Sequence, residues 1–152
     1  MKSICRKTLK LSATFFLFAI VLDLQAADWP RFLGIDADCK SQETGLLDAW
    51  PKEGPPLEWK KMVGTGYSAP SVSNGNLVLH HRIKKEEVVE SMDPLTGKTV
   101  WTFKYPSNYI DPFGYNNGPR CTPILTQDRC YILGAEGKLY CIGMQDGREI
   151  WM

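Results

Sequence analysis

The residues able to do chemistry are few and badly placed for it. His80 and His81 are the only histidines. As neighbours on a strand they point to opposite faces and cannot chelate one ion together. Each reads as an ordinary strand residue. Cys39, Cys121, Cys130 and Cys141 show no Cys-x-x-Cys spacing, so they fit no zinc pattern. The last three lie in apolar, strand-like runs and read as buried free thiols, since a free cysteine packs as a small hydrophobe. Asp36 and Asp38 carry an oxygen pair, but no glycine or distal glutamate follows at calcium-loop spacing. Glu86, Glu87 and Glu90 read as a solvated hairpin tip. There is no phosphate-cradling glycine loop, no serine nucleophile elbow and no histidine–acid pair. Arg120 stands apart: after Gly118-Pro119 its guanidinium could bind a carboxylate or clamp its own turn.

The elements around these residues repeat. Met92-Asp93-Pro94-Leu95-Thr96-Gly97-Lys98-Thr99-Val100-Trp101 returns as Met144-Gln145-Asp146-Gly147-Arg148-Glu149-Ile150-Trp151. Aligning Gly97 with Gly147 aligns Trp101 with Trp151, a period of 50 residues. Each copy is a polar turn, a basic residue and a short apolar strand that ends in Trp. Asp93 can accept from amides two and three residues on, and the glycine supplies the left-handed turn position. A large indole presented from a hairpin needs a neighbouring sheet to cover it. A period of this length indicates propeller blades or a similar array.

The fold class expected is all-β: a partial β-propeller of about two four-stranded antiparallel blades plus an outer strand. Residues 28–56 hold Trp29-Pro30, Trp50-Pro51 and Gly54-Pro55-Pro56 and form a loop segment, tacked down by Trp29, Phe32, Leu33 and Trp50. Leu57–Val63 is the expected outer strand of an incomplete blade, with the repeats running over 57–152. The first blade, 68–105, comprises strands Ser68–Ser73, Asn76–Ile83, Glu87–Met92 and Lys98–Tyr105, the first two joined by the Asn74-Gly75 hairpin signal. After an insertion, Pro106–Pro119, the second blade (121–152, incomplete) comprises Thr122–Thr126, Arg129–Leu133, Lys138–Ile142 and Arg148–Trp151. Pro70 and Pro123 suit the first residues or the open edge of a strand, not a central one.

The first 27 residues read as a secretory signal peptide: a basic leader of Lys2, Arg6, Lys7 and Lys10, an apolar run from Leu11 to Leu22, then Leu24-Gln25-Ala26-Ala27. Export to the periplasm or beyond is expected, with no membrane span after cleavage. No cysteine stands at the cleavage point, so nothing indicates a lipoprotein. The whole chain carries 18 Lys and Arg against 17 Asp and Glu. Removing the leader, with four basic side chains and one acidic, leaves a net charge of about −2, which is no footprint for nucleic acid.

The Asp93–Trp101 run resembles the Trp-docking repeat of pyrroloquinoline-quinone (PQQ)-like β-propellers. Asp28-Trp29-Pro30-Arg31-Phe32-Leu33-Gly34, Gly64-Thr65-Gly66-Tyr67-Ser68 and Asn116-Asn117-Gly118-Pro119-Arg120 are similar to the secreted PQQ-repeat proteins of planctomycete-type bacteria. The resemblance implies a ring of seven or eight blades, of which this chain would be an N-terminal piece from a truncated or frameshifted reading frame. It implies structural docking roles for Asp93, Gly97, Trp101, Gly147 and Trp151. In such a ring, inner-strand starts line the channel mouth, which places Tyr67, Ser68, Asn116, Asn117, Arg120 and Thr122 there as binding candidates. The function expected is a non-catalytic binding or scaffold module for an unidentified protein or small molecule. The alternatives are a PQQ- and calcium-dependent alcohol or sugar dehydrogenase, and an outer-membrane assembly propeller. No residue matches the calcium ligands, and the adjacent cysteine pair of the quinone enzymes is missing.

Overall fold

A computed structural model describes residues 27–152. The signal-peptide reading, but for Ala27, lies outside the described residues. The described chain forms eight strands in two four-stranded antiparallel meanders. The first comprises β1 (Ser71–Ser73), β2 (Asn76–Ile83), β3 (Glu86–Met92) and β4 (Thr99–Pro106). The second comprises β5 (Ile124–Leu125), β6 (Arg129–Leu133), β7 (Leu139–Gly143) and β8 (Glu149–Trp151). Among the described residues no helix is long and apolar enough to cross a membrane.

The two sheets are built alike. Both break register at the same place, between Ser91 and Met92 in one and between Cys141 and Ile142 in the other. The bulge leads into the repeated turn. Asp93 Oδ1 accepts from the Leu95 and Thr96 amides at 2.9 and 2.8 Å. The Gly97 amide returns to the Asp93 carbonyl, and that of Gly147 to the Gly143 carbonyl. Gly97 and Gly147 sit at φ +67° and +69°, where a Cβ is penalised.

Alternation then decides what lies between the sheets. Trp101, Phe103 and Tyr105 share one face of β4, and the register carries that face through Ser91, Val89 and Glu87 to Val78 and His80. The second sheet covers it with Leu125, Cys130, Ile132, Tyr140, Ile142 and Met144 in one apolar core. Phe103 meets Tyr140 edge-on at 5.2 Å and Tyr105 lies 4.5 Å from the same ring, contacts worth about 0.5–1.5 kcal/mol each beyond their area.

Trp101 is the wedge. It is 8% exposed, its Nε1–H donates to the Met144 carbonyl at 2.7 Å, and its ring lies flat on Gly147. A Cβ there would stand 2.6 Å from Trp101 Cε3. Trp59 repeats this on the other turn: its Nε1–H donates to the Pro94 carbonyl at 2.9 Å, and a Cβ on Gly97 would stand 2.6 Å from its Cε3. Trp151 is 42% exposed, with Tyr131 as its ring neighbour at 6.1 Å.

Several expectations need correction. The inner strands β1 and β5 are shorter than Ser68–Ser73 and Thr122–Thr126, because Pro70 and Pro123 cannot donate to a ladder. Leu57–Val63 is no strand, although it lies against the face of the first sheet, where a neighbouring blade would lie. In the 28–56 segment, Trp29 pairs with Val72 by backbone bonds of 2.8 and 3.0 Å, whereas Phe32 and Trp50 are exposed. Cys121 is exposed, while Cys130 and Cys141 are buried, and all three are free thiols. Glu87 is fully buried and Glu90 mostly so; neither belongs to a solvated tip.

Candidate functional site

The chain turns at Gly64–Tyr67 and Gly118–Arg120 run against each other at the start of the inner strands. The Tyr67 amide donates to the Pro119 carbonyl at 2.8 Å. The Ala69 amide donates to Thr122 Oγ1 at 3.3 Å, and Ser71 Oγ to the Pro123 carbonyl at 2.6 Å. These bonds set Tyr67, Arg120 and Thr122 around one open hollow of about 550 Å³. Phe32, Ile124, Tyr131, Leu133 and Leu139 supply most of its apolar wall, and Arg31 joins Arg120 at its edge. Among the described residues no Asp or Glu lines it.

Both guanidiniums are held by backbone. Arg31 donates to the Gly34 carbonyl at 3.2 Å and to that of Ile35 at 2.5 Å. Arg120 donates to the Gly118 and Asn116 carbonyls at 3.3 and 3.1 Å, stands 3.5 Å from Asp111 Oδ1, and lies over the rings of Tyr109 and Tyr67 at 5.2 and 6.0 Å. Clamping its own turn and facing the hollow are therefore both true of Arg120.

The other predicted positions do different work. Ser68 Oγ reaches the neighbouring Ala69 carbonyl. Asn116 and Asn117 organise the 106–119 insertion around Asp111, which accepts from the Tyr115 and Asn116 amides while its own amide donates to Asn117 Oδ1. Burial pushes the Asp111 carboxyl up, but these amides and Arg120 outweigh it and hold it below the usual range. Arg82, unremarked in the sequence, anchors the same loop. Its buried guanidinium donates to the carbonyls of Lys84, Ser107, Tyr109 and Asn117 at 2.6–2.9 Å.

Two histidine–acid pairs also escaped the sequence reading, because partners seven and nine residues apart meet only across a hairpin register. Glu87 Oε2 accepts the Tyr105 hydroxyl at 2.5 Å and lies 3.2 Å from His80 Nε2. The Ala135 amide, from the second sheet, donates to Glu87 Oε1 at 3.1 Å. Burial alone would raise this carboxyl; the bonds from His80, Tyr105 and Ala135 reverse that and bring it to about 2. The Tyr105 hydroxyl is pushed up by burial and by bonding to Glu87. On the other face, His81 Nε2 lies 3.7 Å from Glu90 Oε2. Glu90 in turn takes Lys61 Nζ at 2.6 Å and the Thr99 hydroxyl. The Glu87 cluster is buried and joins the two sheets, whereas the Glu90 cluster is part-buried, opens to solvent at Lys61 and Thr99, and joins the 57–65 segment to the first sheet.

Residues 84–152 match the family described as outer membrane protein assembly factor BamB, a PQQ-like repeat, over a little under half the chain. That span holds the bulge and the glycine turn of both sheets and the docked Trp101; Trp151, at the matching position of the second sheet, is exposed instead of docked. Residues 84–152 are PQQ-like repeat sequence. No curated protein matches it significantly. The two meanders with Trp101 wedged between them are a partial β-propeller of PQQ-like blades.

PQQ-like repeats raise the question of quinone and calcium, and the residues described do not fit them. The hollow offers calcium no carboxylate. No group of three or more His, Cys, Asp or Glu converges elsewhere among the described residues. Cys121 lies between Arg120 and Thr122, so the paired cysteines of the quinone enzymes have no counterpart beside the hollow.

Proposed function

We propose that this chain is an exported binding or scaffold module that holds a partner in the hollow at the start of the inner strands. The observation that carries this reading is the hollow itself: about 550 Å³, aromatic and aliphatic in its walls, edged by Arg31 and Arg120, with no acidic residue among the described residues. Its size is that of an ordinary small-molecule or side-chain-cluster site. Its charge favours an apolar body that carries a carboxylate or sulfonate. Export is supported by the basic and apolar order of residues 2–27.

Anilinonaphthalene sulfonate, an apolar anion, is a suitable probe. Arg120→Ala should weaken its binding about threefold to tenfold while circular dichroism and the unfolding midpoint stay near wild type. The cationic dye thioflavin T should bind poorly. Equal affinity of the variant for the anion, or loss of folding with no separate loss of binding, would leave Arg120 as a turn clamp alone and end the proposal.

The description of the matched family favours a second reading, in which the partner is an assembling outer-membrane polypeptide. Co-purification with a barrel-assembly complex from a Gram-negative envelope tests it.

A further inference from the structure

The stretch from Trp59 to Thr65 is a strap over the outer face of the first sheet, held by the Trp59 ring on Gly97 and by a row of polar contacts. Trp59 Nε1–H reaches the Pro94 carbonyl, Lys61 Nζ bonds Glu90 and Thr99, and Thr65 exchanges two backbone bonds with Arg82 at 2.9 and 2.7 Å. In the middle, the Gly64 amide lies 2.7 Å from His81 Nδ1. An amide can only donate, so Nδ1 must accept and the ring must carry its proton on Nε2. Nothing but glycine fits there: a Cβ would stand 2.0 Å from the Arg82 carbonyl oxygen and 2.9 Å from Nδ1.

We propose that His81 is an acid-sensitive catch for this strap. Protonation puts a hydrogen on Nδ1 and sets two donors against each other at 2.7 Å, so the Gly64 contact breaks and the strap lifts from the sheet. The charged groups facing the ring act in both directions. Glu90 on β3 favours the imidazolium. Lys61 on the strap and His80, next along β2 with its ring on the other face, oppose it. Burial opposes it most, so the ring stays neutral below its ordinary value of 6.5 while the strap is closed. Once the strap opens, water relieves that burial and the ring takes its proton. Acid therefore favours the open form.

Linkage sets the size of the effect. Two pH units below an ordinary imidazole, at pH 4.5, the open form gains up to about 100-fold over the closed. The test is hydrogen exchange of the full chain at pH 7.5 and 4.5, corrected for intrinsic rates and read on a peptide covering residues 58–66. Wild type should lose at least about tenfold in protection of that peptide at pH 4.5, while β3 keeps its own. His81→Asn retains an acceptor near the Nδ1 position without titrating there, so its strap should stay equally protected at both values. Strap protection that does not change with pH in wild type would overturn the proposal. So would an equal acid loss in His81→Asn, which would assign the effect to Glu90 and Lys61.

Discussion

Replacing Glu87 with Gln tests whether a buried carboxylate ties the two sheets together. Glu87 is fully buried and bonds Tyr105 and His80 within its own sheet and the Ala135 amide of the next. Its carboxyl is held at about 2, against 4.5 in an unfolded chain. The unfolded state thus binds more protons between those values, and stability falls as pH falls through them. At about 1.4 kcal/mol per tenfold in proton affinity the full loss is about 3 kcal/mol, most of it complete by pH 2.5. Glu87→Gln removes the charge and should cost on the order of 2–3 kcal/mol at pH 5.5, as expected for hydrogen bonds to an ionised group. Urea unfolding of both proteins at pH 5.5 and 2.5 gives the comparison. The gap between them should close or reverse at pH 2.5, since only wild type loses a titrating carboxylate there. Glu90 and His81 titrate in both proteins and cancel. A gap of the same size at both pH values would refute the reasoning and leave Glu87 as a neutral packing residue.

Gly147→Ala should lower stability by on the order of 2–4 kcal/mol, from the positive φ and the collision with the Trp101 ring. Gly137→Ala is the control, with a similar φ of +81° and open space around its Cβ; its urea midpoint should move by about half as much or less. In the folded chain at pH 8, iodoacetamide should modify exposed Cys39 and Cys121 and spare Cys130, whose thiol burial pushes up to about 12. Peptide mapping after a short pulse reads this, and Cys130 reacting as fast as Cys121 would contradict the packing.

The repeat made the architecture legible because the features that specify it are local. A glycine at a left-handed turn and a Trp four residues later announce a docked hairpin within ten residues. The Asn74-Gly75 turn and the alternation in β4 are of the same kind. The reading went wrong where geometry depends on what lies across the sheet. Glu87 looked solvated because Lys84, Lys85 and Glu86 precede it, yet the register pairs it with Tyr105 and the second sheet closes over it. Leu57–Val63 has strand-like composition, but it lies face-on to a sheet, and no pattern in one segment records that. Trp59 nonetheless docks as Trp101 does, because the indole needs only the partner turn and not a strand of its own. At the hollow, Tyr67, Arg120 and Thr122 could be placed by analogy between the inner strands. Arg31 and Phe32 could not, because they reach the hollow through an irregular loop.

Trp101 wedged against the turn of the next sheet is what joins the two blades. A nuclear Overhauser spectrum of the folded chain measures this directly. It should show cross-peaks from Trp101 Hε3 to the Gly147 α-protons, the same pair for Trp59 and Gly97, and a Trp101 indole proton that exchanges slowly with solvent. An indole proton that exchanges freely, with neither cross-peak present, would contradict it.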